Sequence, residues 1–100
     1  MTIRHVVMWK MNGADAAERA LQAAEVARLL NALDGVVPQL RSIFAGSNSV
    51  YPDANWDVTL VSDFDSVADL EAYQVHPAHE AAAGYIRSVA AGRAAVDIEL

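Results

Sequence analysis

Few residues in this chain can do acid–base chemistry, and they fall close together in type and spacing. The histidines are His5, His76 and His79, and two of them lie in the stretch Tyr73-Gln74-Val75-His76-Pro77-Ala78-His79. Histidine titrates near ambient pH, so two neutral imidazoles facing one apolar cavity could abstract a proton α to a carbonyl and polarise the carbonyl under attack. Pro77 lacks an N–H, has a fixed φ, and pushes the residue before it out of the helical region. One helix is therefore predicted to end near Val75 and another to start at Pro77, with His76 near its N-cap. His79 then stands in a first turn, beside unpaired N–H groups and the positive end of the dipole, which favours neutral imidazole.

Positioning falls to the elements around that break. Residues 3–11 are rich in β-formers, with Ile3, His5, Val7, Trp9 and Met11 on one face and Arg4, Val6, Met8 and Lys10 on the other. Both faces are largely apolar, which predicts a central strand covered on each side. Asn12-Gly13 breaks it. Over residues 15–33 the polar positions Asp15, Glu18, Gln22, Glu25 and Arg28 recur at helical spacing, with Leu21, Ala24, Leu30 and Leu33 opposite, helped by Ala17 and Ala27. Asp34-Gly35 is the predicted stop.

Strands are predicted over residues 40–47 and 56–64, the second with Trp56, Val58, Leu60 and Phe64 on one face. Ser66-Val67-Ala68-Asp69 reads as a variant capping box opening a short helix whose inner face carries Leu70 and Tyr73. The helix after Pro77 should run to about residue 91, with Gly92 as its C′ residue, before a last strand in which Val96, Ile98 and Leu100 alternate with Asp97 and Glu99. The order βαββαβ with right-handed crossovers predicts a ferredoxin-like α+β sandwich, one domain over residues 1–100, with the helices on one face of the sheet. The other face, carrying Val6, Met8 and Val61, is too apolar to be simply wetted, and a second copy of the sheet would cover it.

Composition narrows the function classes. The formal charge is −6, which argues against a nucleic-acid partner, since cationic side chains supply phosphate attraction. There is no cysteine, which removes disulfides, thiolate nucleophiles and thiolate metal sites. No secretory apolar region or membrane-length apolar run is visible, so a cytoplasmic protein with no membrane partner is expected. Hydrophobic residues make up 54% of the chain, but many are alanine, so the domain would profit from burying area against a partner.

The opening Arg4-His5-Val6-Val7, the segment Phe64-Asp65-Ser66-Val67-Ala68-Asp69-Leu70 and above all Tyr73-x-x-His76-Pro77-x-His79 resemble the stress-responsive A/B-barrel (Dabb) family over essentially the whole chain. The resemblance implies a homodimer whose two sheets close into an α/β-barrel with the helices outside. It also implies similarity to polyketide-cyclase members of the olivetolic acid cyclase type, which close a linear poly-β-ketone by aldol condensation. By that similarity the catalytic histidines fall on His5 and His79 and a pocket tyrosine on Tyr73. A further pocket tyrosine would fall near Leu30, where this chain departs from the pattern.

The expected site is therefore His5, His79 and Tyr73, with Val7, Trp9, Leu30 and Ile86 as the surrounding pocket, and no cofactor. His79, Ala83, Ile86 and Ala90 share the packing face of the last helix by spacing. The plain structural alternative is a cap-region His79 bonded to backbone and a core His5 satisfied by one hydrogen bond. His76 and His79 at i,i+3 could face one ion, but no third ligand is evident, so no metal is expected. Gly-x-Ser-x-Gly and glycine-rich phosphate loops are absent. Asp63 and Asp65 read as turn and solvation residues. The function classes left are a cofactor-free enzyme acting on a carbonyl-rich or phenolic small molecule, a cofactor-independent monooxygenase among related dimeric α/β-barrels, and a non-catalytic stress-associated or binding dimer.

Overall fold

All of residues 1–100 are described by a computed structural model. Strand β1 (Ile3–Met11) is central, pairing antiparallel with β3 (Val58–Phe64) on one side and β4 (Ala90–Glu99) on the other, while β2 (Ser42–Ser47) pairs with β3. The sheet order is β2-β3-β1-β4. Helices α1 (Ala16–Asn31), α2 (Val67–Val75) and α3 (Pro77–Val89) complete a ferredoxin-like α+β fold. Alternation along β1 decides what each face meets: Ile3, His5, Val7, Trp9 and Met11 are buried under the helices, and the residues between them are not. Burying four large apolar side chains from this one strand contributes about 1.5–3 kcal/mol each. No helix is long and apolar enough to cross a membrane.

Helix α1 is fixed at its start by reciprocal caps. The Asp15 carboxylate accepts from the Glu18 N–H at 2.8 Å, and Glu18 reaches back to the Ala14 N–H at 2.9 Å. Gly13 lies against this turn so closely that a Cβ there would meet the Arg19 backbone nitrogen at 2.8 Å. Its N–H donates to Gln22 and its carbonyl accepts from Arg19. Those two bonds set the rotation of the helix, which differs from the expected one. Ala23, Val26 and Leu30 face the core, and Leu33 joins them just past the helix, while Ala17, Leu21 and Ala24 are exposed. The helix also stops at Asn31, ahead of Asp34-Gly35, because the Asn31 side-chain amide is engaged with both backbone groups of Ala45 on β2.

Two strand boundaries shift for similar reasons. β3 begins at Val58, since the Asp57 carboxylate takes the Met11 N–H at 2.7 Å and finishes the end of β1 instead. β2 begins at Ser42 because Val37 and Leu40 are buried in the turns before it.

The predicted break at Pro77 holds. Tyr73 accepts from the His76 N–H at the end of α2, and His76 Nδ1 accepts from the Ala78 N–H at 3.1 Å as the N-cap of α3. Ser66 caps α2 through the Asp69 N–H. Gly92, expected as a C′ residue, is instead inside β4 opposite Lys10. The Asn12 N–H captures the Val89 carbonyl at 2.7 Å, so the chain leaves α3 directly into pairing with β1. The last strand thus runs ten residues from Ala90, longer than the expected segment from residue 96.

Candidate functional site

His5 and His79 line one cavity of about 320 Å³ between β1, β4 and α3, within the range of small-molecule sites. Val7, Trp9, Leu30, Leu60, Ala83 and Ile86 form its apolar walls. All four residues expected to surround the histidines are among them. A second concavity of about 340 Å³ opens on the other sheet face around Met8, Asn48, Trp56 and Thr59, and no titratable group lines it. Both histidines line only the first.

His79 is half-buried, and its Nδ1 lies 2.9 Å from the Gln74 carbonyl oxygen. A carbonyl only accepts, so Nδ1 carries the hydrogen and Nε2 is left as the basic nitrogen. Burial is the largest influence holding the His79 pKa below its usual value of 6.5; the bond to Gln74 and the charge of Glu80 oppose it, and His5 and Arg87 add to it. The shift has the direction expected at the helix terminus, but its chief cause is desolvation.

His5 is 4% exposed. Directly opposite it on β4 stands Asp97, whose carboxylate accepts from His5 Nδ1 at 2.5 Å. Here too Nδ1 holds the hydrogen and Nε2 remains. A carboxylate in this position fixes the tautomer and stabilises positive charge that develops on the ring. Asp97 was not among the expected site residues. The signal for it was the alternation of Val96 and Ile98 with Asp97 and Glu99, which sends the acids to the same sheet face as His5.

Tyr73 does not line the cavity. It is fully buried one layer beneath, its ring 5.0 Å from that of Phe64 and 4.4 Å from that of His79. Burial pushes its pKa up to about 12, so the phenol stays neutral. Its hydroxyl has no hydrogen-bond partner, and neither has the buried Ser62 hydroxyl, which is cross-strand from His5. His76 is spent on capping, and no three histidine or carboxylate side chains gather as a metal-ligand group. Asp63 forms a two-pronged pair with Arg4 at 2.9 and 3.0 Å that holds its carboxyl below the usual range, and Asp65 pairs with Arg41.

A model of the stress responsive A/B barrel domain matches residues 3–100. No sequence match is found among curated proteins. Similar solved structures include a dimeric protein of unknown function and ferredoxin-like fold from Bacteroides fragilis, at 28% identity, 99% of this chain, 96% of that one and TM-score 0.88. A dimeric ferredoxin-like protein of unknown function from Thermobifida fusca is 31% identical over 100% of this chain and 92% of its own, with TM-score 0.84. A hydroxynitrile lyase from Passiflora edulis, at 14% identity, shares the fold over 99% of this chain and 93% of its own, with TM-score 0.78.

Proposed function

The chain belongs to the stress responsive A/B barrel domain family, and we propose that it works as a homodimeric barrel whose cavity takes a small aromatic or carbonyl-rich molecule for cofactor-free acid–base chemistry at carbon. The observation that carries this reading is the matched state of two imidazoles on one apolar-walled cavity. Each has Nδ1–H committed to a fixed acceptor and Nε2 uncommitted.

In this reading His79 Nε2 takes a proton from the carbon beside a carbonyl, a role favoured by its lowered pKa. The enolate carbon attacks a second carbonyl, forming the C–C bond of an aldol closure. The proton taken by His79 passes through Nε2 of His5 to the oxygen of that carbonyl, and the Asp97 carboxylate steadies the imidazolium that His5 becomes on the way. The apolar walls keep water from competing for the enolate. That a hydroxynitrile lyase is built on this fold supports the choice of chemistry.

Hydrogen–deuterium exchange at the methyl group of acetophenone, followed by NMR, tests the first step without a known substrate. The protein should accelerate exchange, and His79→Ala should remove about two to four powers of ten of that rate. His79→Ala also loses the Gln74 bond and the Tyr73 ring contact, about 1–2 kcal/mol of stability. His5→Ala should cost more, since it leaves a gap beneath the helices. Acceleration equal in wild type and both variants would discard the histidine mechanism and leave a binding barrel.

A further inference from the structure

The cavity has two chemically opposite ends. Along α3, His79 and Glu80 precede Arg87 by two turns, about 12 Å of helix rise from His79. Along β4, Asp97 is opposite His5 and Arg93 is opposite Trp9, about 13 Å apart on the strand. The bond from the Asn12 N–H to the Val89 carbonyl ties the far end of α3 to the far end of β1. The backbones of the two arginines therefore lie toward one end of the cavity and those of His5, His79, Asp97 and Glu80 toward the other, with the Arg87 charge still felt at His79.

These arginines are also exceptional in their lack of partners. Arg4, Arg28 and Arg41 each pair with a carboxylate, Arg19 bonds the Gly13 carbonyl, and Lys10 lies over the Trp56 ring. Among the lysine and arginine side chains only Arg87 and Arg93 have neither a hydrogen bond, an ion pair nor an aromatic ring as partner, and both line the cavity. In a chain of net charge −6, two unpaired guanidinium groups at one end of an apolar-walled cavity form a receptor for an anion. A guanidinium fork matches a carboxylate two-pronged.

We propose that the natural ligand carries a carboxylate, which Arg87 and Arg93 hold, at the opposite end of an apolar body from its reacting carbonyl. Glu80 and Asp97 repel that carboxylate from the histidine end, so the same charges that attract the ligand also orient it. This rests on the acid–base reading of the histidines and narrows its substrate class to keto acids with an apolar spacer.

NMR titration of the ring signals of His79 and Trp9 compares acetophenone with 4-acetylbenzoate and 3-(4-acetylphenyl)propanoate, which add a carboxylate at two reaches. In wild type at least one acid should bind about tenfold more tightly than the ketone. In the Arg87→Gln, Arg93→Gln double variant the acids and the ketone should bind alike. Both residues are exposed and unpaired, so the variant should fold. Acetophenone shifting the ring signals with no preference for either acid, or a preference that survives in the double variant, overturns the anion assignment and leaves the acid–base reading standing. No shift of either ring with any of the three probes overturns both.

Discussion

His5 on β1 and Asp97 on β4 are direct cross-strand partners, and a 2.5 Å hydrogen bond joins the imidazole Nδ1 to the carboxylate. The pair is separated by 92 residues in sequence, and it decides the orientation of a buried ring. Asp97 reaches the ligand only through His5, as a positioning residue. Asp97→Asn keeps the shape and removes the charge. An amide can also present its NH₂ to the ring, which would reverse the tautomer. We expect acetophenone exchange to be disturbed less than by His79→Ala, because the proton-abstracting base is intact, while the aldol step on a diketone slows by at least about tenfold. The ¹⁵N shifts of the His5 ring report the tautomer. A variant with wild-type ring shifts and rates would leave Asp97 a surface residue of an edge strand.

The His79 pKa gives a pH dependence with a definite sign. Its folded value is lowered, so the unfolded chain binds this proton at higher pH than the native one does. The contribution to stability is complete above about pH 6.5 and is lost as pH falls from there through the folded value. Activity follows the same direction: the base persists below pH 6.5, and the acid limb of the rate profile lies on the acid side of an ordinary histidine. Urea midpoints of wild type and His79→Gln, measured between about pH 7.5 and pH 5, should converge as pH falls. Parallel curves would place His79 in water.

Sequence pattern alone placed His5 under the helices and the helix break at Pro77, because both follow from local rules: strand alternation and the steric demands of proline. Val7 and Trp9 followed from the first anchor and Ile86 from the second, while Leu30 came from the apolar side of the first helix and the family resemblance. The rotation of α1 was not legible, since Leu21 and Ala23 are equally plausible inner residues until the bonds of Gly13 to Arg19 and Gln22 are known. The end of α3 was misplaced at Gly92 because the donor that takes the Val89 carbonyl, the Asn12 N–H, comes from 77 residues earlier. Nothing in the sequence marks out Arg87 and Arg93; the β1–β4 register and the tie of α3 to Asn12 bring them to one cavity. Properties that depend on long-range register were out of reach, and the polarity of the site is one of them.

Tyr73 offers a test of structural against functional burial. Its hydroxyl is unpartnered at 0% exposure, which costs about 1–3 kcal/mol of desolvation. Tyr73→Phe retains the ring contacts with Phe64 and His79 and removes the unpaired group. The variant should be as stable as wild type or more so by about 1 kcal/mol. A catalytic hydroxyl would show itself as a stabilised variant with a much slower aldol step. Equal rates would make Tyr73 a support for the His79 ring. A variant destabilised by more than about 1 kcal/mol would mean that the hydroxyl is satisfied in solution, with a buried water as the simplest partner.

The outer sheet face argues for a second subunit. Phe44, Val61, Val6 and Val96 are in register across β2, β3, β1 and β4, forming one apolar row over the whole sheet. Phe44 is 64% exposed and Val96 60%, and Met8 and Ile98 extend the patch on either side. A row of this kind on a solvated face would lose the hydrophobic contribution of each residue, whereas two such sheets packed face to face would bury both rows. Sedimentation equilibrium at micromolar concentration should therefore give twice the chain mass of 10.7 kDa. Val61→Asp puts a carboxylate at the centre of the row and should yield monomer or unfolded chain, because burying an unpaired charge costs several kcal/mol. Leu21→Asp is the control: Leu21 is 74% exposed on α1, the helical side of the sheet, and its variant should remain a dimer. A monomeric wild type would remove the barrel. A dimer lost on Leu21→Asp and kept on Val61→Asp would move the interface to the helices and leave the row without a partner.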